Sequence, residues 1–432
     1  MCVIQFSAVP FLCQAVMVIG SAVLLAAALV NGLQASPDAR LSPQTLRAID
    51  AYFRAEVPRS GFPGGSLAIV QGDKTVLVST TGVSDLESQA KVTEDTVYCI
   101  GSMTKPFTAT AILQLRDAGK LELDQPVTRY LPRFRVAEPG AAEHITIREL
   151  LTHTSGLPTN SHSVVWEDEA SIRGSIERAV RGLHSVHLSH PPGTQFEYAN
   201  MNYVVLGRVI EAVSGESWSA YVTRHIFAPL GMTHSATSQS TVDPKALARA
   251  YWPQFGRLAI GLLQVGDFMA PASNILTSAP DLARFAAAHL GTGEPILTPA
   301  SFAEAHLGEA EMPTGARYAL GWVNERFRGV TVFHHGGAAG HSTAVYLVPE
   351  RQLAIVVLLG AYSHVENERI AQGVLSLALG ARPLPTEGLS ELSVLTWTSR
   401  AFVGLTLACP VTLAILPLLR RRRWRRWATR RY

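Results

Sequence analysis

Ser102 and Lys105 stand three residues apart in Gly101-Ser102-Met103-Thr104-Lys105. Positions i and i+3 share one face of a helix, so the amine can reach the hydroxyl. A serine beside a base is an acyl-accepting nucleophile. An ordinary lysine, with a pKa of about 10.4, is a poor base at neutral pH, and moving it there takes about 4 kcal/mol of differential interaction. Burial together with a neighbouring cation could supply that. The same spacing also describes any surface Ser-Lys pair at a helix start, so the motif needs partners.

Two other stretches offer them. In Glu197-Tyr198-Ala199-Asn200, Tyr198 can act as a proton donor or acceptor, and Asn200 can hold either a substrate amide or the Lys105 amine. His334-His335-Gly336-Gly337-Ala338-Ala339-Gly340 reads as an interruption between strands where a substrate could approach the backbone closely. Alone, neither stretch is distinguishable from a tyrosine capping a core or a pair of histidines in a turn. The chain has no H-E-x-x-H, and His184, His187 and His190 have no acidic residue at ligand spacing, so neither a metal nor another cofactor is expected. G-x-S-x-G is also missing, since Gly340-His341-Ser342-Thr343-Ala344 fails at its last position, which argues against an α/β-hydrolase elbow.

The elements that must position these residues follow from periodicity. Residues 96–100 suit a strand, and Phe107, Ala111, Leu115 and Ala118 recur at helical spacing until Gly119, which puts Ser102 at a helix N-terminus. There the free N–H groups of the first turn can face an oxyanion. A helix is expected from Leu41 to Pro58, then a hairpin over residues 67–78. Between residues 145 and about 271 helical patterns dominate, over 147–151, 170–183, 203–213 and 217–226. Strand signals return over 318–322, 330–334, 342–348 and 353–359. Early strands, middle helices and late strands imply an α/β (α+β) architecture. Its discontinuous sheet part spans about 41–125 and 272–382, a helical domain is inserted over about 126–271, and a site is expected in the cleft between the two.

The chain has 432 residues, 47% hydrophobic and 16% charged, enough for a large core. Its net charge of +3 conceals an asymmetry: without the eight arginines of the last thirteen residues the rest carries −5, which lends no support to nucleic-acid binding. Of the four cysteines only Cys99 falls in the globular part, so no disulfide framework is expected there, and Cys99 reads as a small buried hydrophobe. Residues 1–35 read as a signal peptide or an uncleaved N-terminal anchor, without the usual positive start. Residues 383–400 read as a linker. The uncharged residues 401–419 are long enough for a ~30 Å membrane core, and the arginine tail of 420–432 would stay in the cytoplasm, leaving residues 41–382 on the outer side.

Taken in order, Ser102-x-x-Lys105, Tyr198-x-Asn200 and His335-x-Gly337 resemble the serine β-lactamase-related and penicillin-binding family. The branch is the one that holds class C β-lactamases, DD-peptidases, D-aminopeptidases and related esterases. Leu150-Leu151-Thr152-His153-Thr154-Ser155-Gly156-Leu157, Pro192-Gly193-Thr194, Pro229-Leu230-Gly231-Met232 and His335-Gly336-Gly337-x-x-Gly340 extend the resemblance over roughly residues 41–380. It implies a β-lactamase/transpeptidase-like fold and an acyl-enzyme mechanism without a cofactor. Ser102 would be the nucleophile, Lys105 its base, Tyr198 the proton donor to the leaving group and Asn200 the group orienting Lys105 and substrate. Either His334 or His335 could lead the third motif, but only His335 places glycines at both +2 and +5, which makes His335 the cleft residue. The oxyanion hole would be the N–H groups of Ser102 and Ala338, beside Gly337. Class C β-lactamases have Lys-Thr-Gly in the third motif, so histidine there favours peptides ending in a D-residue, peptidoglycan among them, or small esters and amides. A β-lactamase, or a non-catalytic peptidoglycan- or partner-binding protein, is the alternative, and oligomeric state is left open.

Overall fold

The computed structural model of the protein describes residues 40–162, 176–254, 257–261 and 267–383. Residues 1–35, 401–419 and the arginine tail lie outside them, as do all but the first residue of the 383–400 linker. Among the described residues no helix is long and apolar enough to cross a membrane.

Helix α1 (Pro43–Arg59) starts at Ser42, whose hydroxyl accepts the Thr45 N–H, and has proline at its first position. Ile49, Phe53 and Val57 give it one buried face. The hairpin β1 (Gly64–Gln71) and β2 (Lys74–Gly82) follows, then the short β3 (Tyr98–Cys99), a single 3-10 turn at Gly101–Met103, and α2 (Thr104–Asp117). Next come α3 (Ile147–Leu151), α4 (Ile176–Gly182), α5 (Asn200–Ser214) and α6 (Trp218–Val222). After the hairpin β4 (Tyr251–Gln254) and β5 (Arg257–Ile260) lie α7 (Ala270–Ser273), β6 (Leu276–Thr277), α8 (Ala279–His289) and α9 (Pro299–Ala305). The chain closes with β7 (Ala310–Glu311), β8 (Arg317–Tyr318), β9 (Val323–Phe327), β10 (Val330–Ala338), β11 (Ser342–Val348), β12 (Leu353–Leu359) and α10 (His364–Ala378).

Eight strands form one antiparallel sheet in the order β2-β1-β12-β11-β10-β9-β8-β7. Pairing of β1 with β12 unites the early and late strands. Both are buried along their length except at Gln71, which ends β1, because helices cover the two faces. Leu67, Ile69, Ile355 and Val357 pack with Phe53 of α1 and Val374 of α10. The alternate residues Ala68, Val70, Val356 and Leu358 join the core that includes α2, α5 and α8. Helices α1 and α10 are clamped by Arg369, which bonds Glu56 at 2.7 Å and Glu366 at 2.8 Å. The described chain enters and leaves at one end of the sheet. There Leu41 N–H donates to Gln71 Oε1 at 2.8 Å, and Arg328 Nη2 donates to the Arg382 carbonyl at 3.0 Å.

Three details differ from the sequence expectations. The residues from His334 to Ala338 do not interrupt the strands but continue β10, where Gly336 pairs with Ala344 and Gly337 with Thr343. A glycine weakens a strand without removing its ladder bonds. The stretch 318–322 ends a two-residue strand and turns at Gly321, φ +86°, into β9, which alternation had not revealed. The β4–β5 hairpin lies in the stretch read as helical. Pro253 obscured its signal, and it docks beside the sheet through Tyr251 N–H to the Gly340 carbonyl at 3.1 Å.

Gly207 permits the closest approach between α5 and α7: a β-carbon there would lie 2.2 Å from Pro271 Cγ. Gly207→Ala is expected to force α7 away and destabilise the protein by about 1–3 kcal/mol, read as a lower denaturant midpoint; an unchanged midpoint would refute the tight fit.

Candidate active site

Ser102 sits half-buried in the 3-10 turn, and Lys105 belongs to the first turn of α2. The turn is anchored where Ile100 N–H donates to the Ile275 carbonyl at 2.9 Å and Ile275 N–H to Thr104 Oγ1 at 3.1 Å. One turn on, Thr108 Oγ1 donates to the Pro271 carbonyl at 2.7 Å and accepts from the Trp218 indole at 3.0 Å. These bonds hold α7 against α2, so the Ala272 carbonyl reaches Lys105 Nζ at 3.0 Å.

Lys105 has no exposed surface. Its amine also stands 2.8 Å from Asn200 Oδ1, at the start of α5, and 3.0 Å from Ser102 Oγ. The Tyr198 hydroxyl donates to the same Ser102 oxygen at 2.9 Å, and Lys105 Nζ lies 4.8 Å from the Tyr198 ring centre. The first two motifs, 93 or more residues apart in the chain, therefore converge on one hydroxyl.

Burial holds the Lys105 amine well below the ordinary lysine range. Burial alone accounts for this, without the neighbouring cation that the sequence reading had allowed for. Burial, and then the Lys105 charge, pushes His335 down to about 3 and holds His153 well below its usual range. Burial raises the Tyr198 hydroxyl beyond its usual range, more than the Ser102 bond lowers it, so it remains protonated at neutral pH.

The third motif reaches the site through β10. His335 pairs with Val345, which faces the α2 core, whereas His334 pairs with Tyr346 on the opposite face. His334 stacks on Tyr346 and lies 3.2 Å from Glu325, far from the serine's side of the sheet. His335 does not bond Ser102, Lys105 or Tyr198; among the described residues its Nδ1 donates to the Gly336 carbonyl at 2.6 Å and its Nε2 lies 3.3 Å from the Tyr318 hydroxyl. Gly337 abuts the Ser102 turn, since a β-carbon there would lie 2.0 Å from the Ile100 carbonyl oxygen and 2.6 Å from Ser102 N. The Ser102 amide is thus placed beside the end of β10, one residue from Ala338. Cys99 is buried in β3, its N–H donating to His341 Nδ1 at 3.0 Å.

Sequence reasoning assigned no role to His153, Tyr203 or Tyr318, which wall the site behind Tyr198. The His153 ring centre is 4.3 Å from that of Tyr198 and 4.8 Å from that of Tyr318, and the Tyr203 hydroxyl donates to the Leu151 carbonyl at 2.9 Å. His153 was visible only as part of a quoted motif, and Tyr318 gave no signal beyond strand propensity.

Comparison with known proteins bears on this geometry. The family described as Beta-lactamase matches residues 49–376. The chain belongs to the Beta-lactamase family. It is 30% identical over 321 residues to Protein flp of Staphylococcus aureus (strain COL), a match covering 74% of this chain and 64% of that protein's length. It is 32% identical over 295 residues to Penicillin-binding protein 4 of Amycolatopsis lactamdurans, covering 64% of this chain and 75% of that one. Its fold is similar to the octameric penicillin-binding protein homologue from Pyrococcus abyssi, with a TM-score of 0.69 and 26% identity over 82% of this chain and 80% of that one. The β-lactamase/transpeptidase-like fold expected from the motifs, an antiparallel sheet with helices, is therefore the fold of this Beta-lactamase family member.

The buried amine carries a pH signature. With its folded-state pKa below its unfolded one, the unfolded chain binds one more proton between the two values, so stability rises with pH in that window. Lys105→Met removes this term. The unfolding free energy of the wild type minus that of the variant is expected to grow between pH 7 and 9 by up to about 1.4 kcal/mol per pH unit, measured by denaturant titration, and a flat difference would mean that the lysine stays charged in the fold.

Proposed function

We propose that the protein is a serine hydrolase that works through an acyl-enzyme on peptides ending in a D-residue, peptidoglycan among them, or on small esters and amides. One observation carries the reading. The Lys105 amine has two partners that can only accept, Asn200 Oδ1 and the Ala272 carbonyl, and its third neighbour is Ser102 Oγ. A neutral amine has two N–H groups and one lone pair. Donating to Asn200 and Ala272 leaves that lone pair for the serine hydroxyl, the arrangement of a general base.

Ser102 Oγ then bonds the substrate carbonyl carbon while its proton passes to Lys105. The oxyanion is held by the Ser102 and Ala338 N–H groups, with Gly337 leaving room for the backbone. Tyr198 gives its proton to the leaving nitrogen or oxygen as that bond breaks and takes back the proton that Lys105 drew from the serine, so both groups return to their starting states. Water repeats the sequence on the acyl-serine and releases the acid. His335 lines the site as a neutral imidazole whose Nε2 can accept, its Nδ1 proton being given to the Gly336 carbonyl. It stands where class C β-lactamases have the lysine of Lys-Thr-Gly, and that departure weighs against efficient β-lactam hydrolysis. Residues 401–419 would tether the domain at the outer face of the membrane, with the arginine tail inside.

Labelling with a fluorophosphonate or a fluorescent penicillin is expected in the wild type and absent in Ser102→Ala; a wild type that takes no label overturns the reading. Lys105→Ala and Tyr198→Phe are each expected to slow acylation about 100-fold or more with the fold retained, and near-wild-type turnover in either would remove the role assigned to it. Nitrocefin, p-nitrophenyl esters and D-Ala-D-Ala peptides, tried side by side, should show hydrolysis of an ester or peptide in preference to the lactam. The released membrane fraction gives a separate check on the tether, since truncation after Pro385 should free the protein if residues 401–419 anchor it.

A further inference from the structure

His153 follows α3 with φ +58°, in the left-handed region. Both of its acceptors, the carbonyl and Nδ1, face the segment that carries Tyr198. Its carbonyl accepts the Glu197 N–H at 2.8 Å, and its ring Nδ1 accepts the Ala199 N–H at 3.2 Å. The residues on either side of Tyr198 are thus bonded to one residue, whose ring also packs 4.3 Å from the tyrosine ring. Nδ1 accepts a second bond from Asn202 Nδ2 at 2.9 Å, and Asn202 is held in turn by Ser155 Oγ at 2.6 Å.

Two donors on Nδ1 place the ring proton on Nε2. That nitrogen is buried without a hydrogen-bond partner among the described residues. An apolar ring of the same size would fill the space without stranding a donor. The acceptor at Nδ1 is what a phenylalanine or leucine could not provide.

We infer that His153 is a positioning residue that sets the Tyr198 hydroxyl on Ser102 Oγ by gripping the chain at Glu197 and Ala199. The inference rests on the proposed role of Tyr198 as proton donor. It gives the tyrosine a fixed backbone before substrate arrives, where proton transfer to a leaving group demands placement to within a fraction of an ångström.

The test uses the full chain and a small ester substrate. His153→Ala removes the acceptor, while His153→Asn places Oδ1 near the position of Nδ1 and tolerates the left-handed backbone. His153→Ala is expected to lower kcat about 100-fold with KM within about threefold, and His153→Asn to recover activity to within about tenfold of the wild type. In a Tyr198→Phe background His153→Ala should cost less than about threefold more, because the hydroxyl it positions is gone. A crystal structure of His153→Ala should show the Tyr198 hydroxyl displaced from Ser102 Oγ. An equal loss in both backgrounds, a His153→Asn variant as slow as Tyr198→Phe, or an undisplaced tyrosine would each overturn the assignment. If His153→Ala does not fold, the His153→Asn rate alone decides. If the wild type forms no acyl-enzyme, the hydrolase reading falls, and the displacement of Tyr198 still decides whether His153 positions it.

Discussion

The amine of Lys105, enclosed on every side, draws its partners from three separate pieces of chain: the Ser102 turn, the start of α5 at Asn200 and the end of α7 at Ala272. A buried polar group that loses a partner costs far more than a surface one, so these elements must meet at the same point or the lysine cannot be accommodated. Much of the surrounding structure serves that meeting. Thr108 and Trp218 bring α7 to α2, Gly207 lets α7 close on α5, and Gly337 lets β10 press against the turn. Electrostatics and architecture share one constraint: the environment that deprives the amine of water lowers its pKa and dictates how the helices pack.

The same strand serves two environments. Alternation along β10 sends His335 and Gly337 toward the serine and His334 toward Tyr346 and Glu325. On that second face Glu325 raises the His334 imidazole against the opposing effect of burial, while on the first the imidazole of His335 is held neutral. Adjacent histidines of one dipeptide are therefore shifted in opposite directions. The choice between them is made by the two-residue period of a strand.

The serine, lysine, tyrosine and asparagine could be picked out of the chain because Ser-x-x-Lys, Tyr-x-Asn and His-x-Gly stand in the order that one family shares; the i and i+3 spacing says only that serine and lysine can meet, and Tyr-x-Asn alone says almost nothing. The sheet core was legible too, since β12 and the last five residues of β11 are continuous apolar runs of the length a doubly covered strand requires. What stayed hidden depends on groups with no local pattern. The Ala272 carbonyl carries no side-chain signature, and Tyr318 resembles any strand tyrosine. Gly336 and Gly337 looked like a break, although their ladder partners, Ala344 and Thr343, keep the strand whole. Burial of Lys105 followed from none of its neighbours in sequence; it comes from α5 and α7 closing over it.

Both ends of the described chain lie at the end of the sheet where β10 begins, while Ser102 lies where β10 finishes, about seven residues or ~23 Å along the strand. Antiparallel to each other, α1 and α10 occupy the face turned away from the serine and are the first elements met from either end. The consequence is mechanical. A pull, twist or collision transmitted through whatever is attached at 40 or 383 falls first on the contact between these two helices, which the Arg369–Glu56 pair reinforces. The lysine cage lies on the other face and at the far end, and none of its members belongs to either of the helices that take the load first.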